Sequence, residues 1–420
     1  MKTASPRLWL LLALLGLGYF GLLAFHPGLY FALGVNHYDA WFLDTFALLA
    51  SNDAVARGLD PYAPNPLDYF HRPHVYSHWW LGLRHLGLTR AHSLALGAAL
   101  GGGFLVAAWA RLRPRSLGQL AGYAAVLGAM PVVLALDRAN NDLLIFVLLA
   151  LLVPCLRSER RELRLLAVGL VAVAAGLKYY PAAAGLVLLA GAGRAERRSR
   201  LVIALLLLAL VALSIGPDLV RHGRLAPQPE GLMTFGATAA FSALGWTGWL
   251  PKLLALLAAL LAAGLGWRRR VLADWEPSPA QQSDWLHFVL GAVLLTGCFF
   301  TSLNHGYRWI FALWLAPLLW GLPGDTAAPP AVRRLARWTR GLLLFVLWWA
   351  PACCLVLNGL IGVVPGTMVT RLAQAVFLIE QPADWALFGC LLVFLAHFAR
   401  TQLHLLRGDD APLPERARAR

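Results

Sequence analysis

Apolar runs separated by short arginine-rich breaks make up most of this chain. The runs fall at about 8–33, 92–110, 117–136, 142–156, 165–178, 181–193, 201–217, 251–267, 286–303, 308–321, 341–361 and 384–400. Each predicts a membrane-crossing helix, since roughly 20 apolar residues rising 1.5 Å apiece cover a hydrocarbon core of about 30 Å. One stretch, 165–193, is long for one crossing and short for two, yet basic runs flank both ends, so it must return. The return falls at "GLKYYP" (176–181), where Pro181 removes a backbone donor and disfavours helix at Tyr180. Two half-helices meeting at Lys178 are predicted. Irregular backbone of that kind survives in a membrane only where protein or a wet cavity satisfies its polar groups, so a cavity is expected beside Lys178.

Two long segments interrupt the apolar pattern. In the first, 34–91, Trp41, Phe42, Phe46, Leu49, Ala50 and Ala54 recur near the helical period, predicting an amphipathic helix over 41–57 that lies on the membrane surface. Its aromatic pair in "HWW" (78–80) fits the headgroup belt, where tryptophan accumulates. The second, 218–250, reads as a loop with turns at its Pro and Gly residues.

Composition sharpens the class. Of 420 residues 59% are hydrophobic, more than a globule of this size can bury, so the chain reads as one integral membrane domain over 1–420 and as an all-α polytopic membrane protein. The formal charge of +15 is carried by runs such as "RLRPR" (111–115), "RSERRELR" (157–164), "GRAERRSR" (193–200) and "RRLARWTR" (333–340). With about twelve crossings these runs all fall on the side of Lys2 and Arg7, the cytoplasmic side by the positive-inside rule, and they carry no nucleic-acid footprint. The apolar run after Arg7 looks like a signal peptide but lacks a small-residue cleavage site, and is read as a retained first helix. Cys155, Cys298, Cys353, Cys354 and Cys390 form no CxxC pair and have no histidine at ligand spacing, so neither a disulfide framework nor a metal site is predicted.

Ionisable groups near a membrane are costly and call for a function. Here they gather on the side opposite the basic runs: in 36–62, whose "NHYDAWFLDTFALLASNDAVARGLDPY" holds four aspartates, in "LDRANNDLL" (136–144), in "GLKYYP", and in "SLNHGYRWIF" (302–311). Each has a plainer reading. Asp44 fits a surface pair with Arg57 or Arg72, Asp137 and Arg138 a polar turn, Lys178 a snorkelling side chain, and His305 with Arg308 an interfacial anchor. Their common side favours chemistry. A carboxylate that takes a proton from an attacking hydroxyl, beside cations that neutralise a departing phosphate, suits group transfer from a phosphate-linked donor. No phosphate-binding glycine loop and no DxD string supports a nucleotide donor, so the donor would be lipid-borne.

Asp44 followed by Gly58 and "GLDPY" (58–62), "DRANNDLLIF" (137–146), "LKYYP" (177–181) and "NHGYRWIF" (304–311) together resemble the PimE-like polyprenol-phosphate-mannose-dependent mannosyltransferases. The likeness spans most of the chain, although each motif is short. It implies a GT-C-like bundle of about twelve transmembrane helices with the amphipathic helix on its outer face, and a catalytic aspartate in the first outer loop. Spacing to Gly58 makes that Asp44, with Asp39 in reserve. The resemblance further implies that Lys178, His305 and Arg308 hold the donor phosphate. Asp137, Asn140, Asn141, Asp142 and Tyr62 are the candidates for sugar or acceptor hydroxyls, which amides and carboxylates read well. The turn "DRANND" departs from the Gly-Gln or Gly-Asn usual there, which leaves the acceptor open. The implied partners are a polyprenyl-phosphate sugar, a glycolipid or glycan acceptor and membrane lipid, with no cofactor and no nucleic acid. The implied location is a multi-pass protein of a cell inner membrane whose site faces the periplasm or exterior. A transporter or flippase of lipid-linked glycans is the competing class, for which paired repeats and mid-membrane polar groups would be the mark.

Overall fold

A computed structural model describes residues 5–407 except 39, 191–192, 226–228, 230–231, 233, 270, 273–274 and 302. The chain is 77% helical with almost no strand, an all-α polytopic membrane protein. Among the described residues seven helices are long and apolar enough to cross a membrane: Pro6–Phe25, Arg90–Arg111, Ala195–His222, Trp249–Arg268, Gln282–Thr301, Pro330–Leu360 and Gly366–Leu406. The helices Leu117–Leu127 and Met130–Arg138, bent by 47° at their junction, make an eighth if taken as one span.

Four of the apolar runs fold into something shorter. The run 142–156 is the short helix Asp142–Leu156, and 165–177 of the run 165–178 lies inside Arg161–Leu177, with Lys178 just past its end. The run 181–193 falls on the 3-10 segment Tyr180–Leu189, and 308–321 on the 3-10 turns Gly306–Trp314 and the helix Ala316–Gly321. Each lends buried residues to the core, although Leu165, Leu166 and Val173 of the second stay exposed. Trp314 and Phe311 are fully buried, and Phe146 stacks on Trp314 at 4.4 Å. A segment wrapped by protein on every side needs apolar residues at every position, as a lipid-facing one does, and hydropathy alone cannot separate the two. The long helices divide the same way. In Gln282–Thr301 72% of the most apolar stretch is buried, against 17% in Ala195–His222, so the former is a central post and the latter faces outward.

The break at Lys178 follows the sequence. Arg161–Leu177 ends there, Lys178 takes extended backbone, and Pro181 opens the 3-10 segment. The predicted surface helix forms as Leu43–Ala56, but its buried positions include Thr45, Ser51 and Asn52 beside Leu48 and Leu49, so protein covers it. The amide of Asn52 donates to the Trp80 carbonyl at 3.1 Å and accepts from Arg84 N at 2.9 Å.

Trp79 and Trp80 are clamps instead of belt residues. Trp79 donates to Ser214 Oγ at 3.0 Å, and its ring covers Gly176, where an added Cβ would come within 2.1 Å of it. Trp80, buried, donates to the Leu177 carbonyl at 3.0 Å, which satisfies a group freed where the helix stops. The first loop is thereby held over the Lys178 junction. In the second loop a two-residue ribbon pairs Thr234–Phe235 with Asn304–His305, which fixes the segment that carries His305 and Arg308.

Candidate functional site at one end of the bundle

The site is assembled by chain reversals. Phe42 adopts a left-handed backbone (φ 61°) at the start of Leu43–Ala56, donates its N–H to the Asp137 carbonyl at 3.0 Å, and packs its ring over Gly97, where a Cβ would stand 2.3 Å from it. Asp44 therefore emerges in the first helical turn. Ala139 (φ 40°) reverses the chain after Met130–Arg138, and its carbonyl accepts from Thr45 Oγ1 at 2.7 Å. His71 (φ 54°) does the same just before Arg72. Among the described residues these are the three non-glycine positions with positive φ, and each lies one or two residues before Asp44, Asn140 or Arg72. Such conformations cost about 1–3 kcal/mol each and persist where surrounding contacts over-determine them. Their gathering at one place marks it as a candidate site.

Asn140 is the bridge. Its Nδ2 donates to Asp44 Oδ2 at 2.6 Å, while its Oδ1 accepts from Lys178 Nζ at 3.2 Å and from the Asp142 N–H at 2.9 Å. Lys178 Nζ also donates to Asp142 Oδ1 at 2.5 Å, and Tyr180 donates its hydroxyl to the same oxygen at 2.7 Å. Arg308 completes the group, its Nε 3.8 Å from Asp142 Oδ2. Aromatic faces line the cations: Lys178 Nζ lies 5.7 Å from the centroids of both Tyr76 and Tyr307, and the Arg308 guanidinium lies 4.7 Å above Tyr180. Contacts of this kind strengthen as water is removed. His305 stacks on Tyr307 at 5.4 Å, and burial, with Arg308 nearby, holds its imidazole below the usual pKa.

Asp44 itself is only partly satisfied. Its second oxygen stands 3.6 Å from Arg72 Nη1, beyond a hydrogen bond. Arg72 is fastened elsewhere: Nε and Nη2 donate to Asp68 at 2.9 and 3.0 Å, and Nη2 also to the Leu43 carbonyl at 3.0 Å. Asp68 accepts further bonds from the N–H groups of Phe70 and Arg72. Burial works against its charge, but these bonds and Arg72 prevail, and the carboxyl lies below its usual pKa. Asp44 thus keeps an oxygen for another partner.

Asp44, Asn140, Lys178, His305 and Arg308 come together, from four distant segments. Asp142 joins them in a different role from the one its sequence suggests. Its side chain is fully buried: Oδ1 accepts from Lys178 and Tyr180, and Oδ2 lies in the ion pair with Arg308 without a hydrogen bond among the described residues, which makes the carboxylate the counter-ion of Lys178 and Arg308. Asp137 turns to His37 at 2.5 Å and to Arg138 at 3.5 Å. Asn141 is buried, and neither atom of its amide has a hydrogen-bond partner among the described residues. Tyr62 stacks on His222 at 3.6 Å and meets His74 edge-on at 5.7 Å; His74 in turn meets Tyr76 at 5.8 Å, a row of rings leading to Lys178. Asp39 lies outside the described residues.

Sequence reading missed Tyr76, Tyr180 and Tyr307 as the lining of the cations and Arg72 as the loop's anchor. The usable signal was the tyrosines that sit within two positions of Lys178 and Arg308 in short polar strings. Close to the ribbon a cavity of about 380 Å³ is lined by Trp246, Lys252, Phe299, Phe300, Thr301 and Leu303 among others, two residues along the chain from His305. No family model, curated protein or solved structure matches the chain.

Proposed function

We propose that this chain is an inverting glycosyltransferase that moves a hexose, with mannose the first candidate, from a polyprenyl-phosphate donor to a lipid or glycan acceptor on the outer face of a cell inner membrane. The reading includes the GT-C-like architecture of about twelve crossings that the basic runs call for. One observation carries it: a carboxylate, Asp44, with one oxygen that makes no hydrogen bond among the described residues and lies 3.6 Å from Arg72, tied through a single amide to a buried group holding two cations.

In this mechanism the acceptor hydroxyl gives its proton to Asp44 as its oxygen attacks the anomeric carbon. The bond from that carbon to the phosphate oxygen breaks on the opposite face, and polyprenyl phosphate departs with the electron pair. Asn140 orients the base by holding one of its oxygens. Lys178 uses its donors on Asn140 and Asp142. Arg308 makes no hydrogen bond to an oxygen among the described residues, with Nη1 3.9 Å from the Cys298 sulfur, so it is the cation best able to take up phosphate oxygens. The third donor of Lys178 and the imidazole of His305, which stacks on Tyr307 beside Arg308, supplement it. Lys178 and Arg308 face two carboxylates, Asp142 and Asp44, and once Asp44 has taken the acceptor proton one positive charge is left for the leaving group.

The decisive test is incubation of purified protein with radiolabelled polyprenyl-phosphate hexose and a panel of glycolipid acceptors. Asp44→Asn should lower transfer by about 10²–10⁴-fold while donor binding persists, the range for removing a general base. Retention of transfer by both Asp44→Asn and Asp39→Asn would falsify the assignment of the base. Donor movement across vesicles without transfer would point to a flippase instead.

A further inference from the structure

The opposite end of the bundle holds a polar pocket that the proposed transfer does not use. The helix Ser93–Arg111 starts beside the first loop, where Arg90 N–H donates to Asp53, and its 19 residues carry the chain about 28 Å away. At its far end Arg111, Arg113 and Arg115, with Gln119, Tyr123 and Asp284, line a cavity of about 200 Å³. Three arginines and one carboxylate line it. Arg111 pairs with Asp284 through Nη2, and its buried Nε has no hydrogen-bond partner among the described residues. Gln119, in the first turn of Leu117–Leu127, accepts the Arg115 N–H at 2.7 Å, so the positive end of that helix adds to the field.

Arginines at this end of a membrane protein ordinarily record topology by facing water. These three converge on one concavity, and Asp284 on a neighbouring helix holds one of them in place. Topology requires neither feature. We propose that the pocket binds a phosphate-bearing anion, recognised by the forked donors of Arg111, Arg113 and Arg115. Its volume is below the roughly 300–1,000 Å³ of sites for larger ligands and suits a headgroup-sized phosphate better than a nucleotide. Basic pockets between helices on this side of a membrane take anionic lipid headgroups, and free phosphate offers the same chemistry.

The test uses the full chain in neutral detergent, stripped of lipid, with two probes: phosphatidylglycerol followed by native mass spectrometry, and inorganic phosphate followed by equilibrium dialysis. Saturable binding of one equivalent is expected, weakened at least about tenfold in R113Q/R115Q and unchanged in R337Q, whose arginine lies outside the pocket. Binding of phosphatidylglycerol makes the source lipid, and binding of phosphate alone makes it soluble; either supports the site. Absence of saturable binding of both probes, or equal loss in R337Q, overturns it. If the double variant does not fold, R113Q alone gives the reading, since Arg113 is exposed and its guanidinium makes one hydrogen bond, from Nε to the Ala110 carbonyl.

Discussion

The two ends of this bundle carry charge in different ways. At the arginine-rich end the charges come in runs close together in sequence, several of them exposed, among them Arg113 and Arg337. At the Asp44 end they come singly, from 44, 72, 142, 178 and 308, and they find one another only after folding. Water can solvate the first kind, so its cost is low and its information is topological. The second kind is tolerated because each charge has an opposite charge or a ring at short range, and removing one member exposes the cost of the rest.

Asp142→Asn tests that contrast most severely. It keeps the shape but leaves Lys178 and Arg308 without their counter-ion, and it should destabilise the protein by about 3–5 kcal/mol in denaturant unfolding. Arg337→Gln at the other end should change stability by no more than about 0.5 kcal/mol. Equal effects would mean that the charges at the Asp44 end are no more interdependent than those at the arginine-rich end.

The next largest effect concerns pH. His74, in the first loop, is buried, with Nε2 3.2 Å from the Ser77 carbonyl and Nδ1 without a hydrogen-bond partner among the described residues. Burial lowers its pKa to about 4. The unfolded chain takes up the proton near pH 6.5, the folded chain only near 4, so stability is full above 6.5 and declines as pH falls between the two. The loss should approach about 3 kcal/mol, and His74→Asn should flatten that part of a stability-versus-pH profile.

Asp68→Ala should cost about 2 kcal/mol by releasing Arg72 and two backbone N–H groups, and should loosen the first loop in hydrogen exchange. Because its folded pKa is depressed, this contribution is present above about pH 4 and lost as pH falls through the folded value. A smaller effect than that of Asp68 is expected at Gly58, where φ is +73° and nothing lies within 4 Å of an added Cβ. Gly58→Ala should cost about 1 kcal/mol through backbone strain alone, and a neutral result would show that the turn after Leu43–Ala56 relaxes freely.

Some features of this protein were fixed by local order along the chain. The apolar periodicity determined a helical membrane protein, Pro181 determined the break at Lys178, and the alternation of basic runs marked one side of the bundle. Local strings also named Asp44, Asn140, Lys178, His305 and Arg308 as candidates. Tertiary structure alone decided that Asp142 is the counter-ion of Lys178 and Arg308, that Asp137 turns to His37, that the "HWW" tryptophans clamp the loop, and that four apolar runs fold as shorter segments lending residues to the core. The reason is common to all four. Hydropathy reports whether a residue leaves water, but lipid, protein core and a charged partner are alternative destinations, and the choice among them is made by residues distant in the chain.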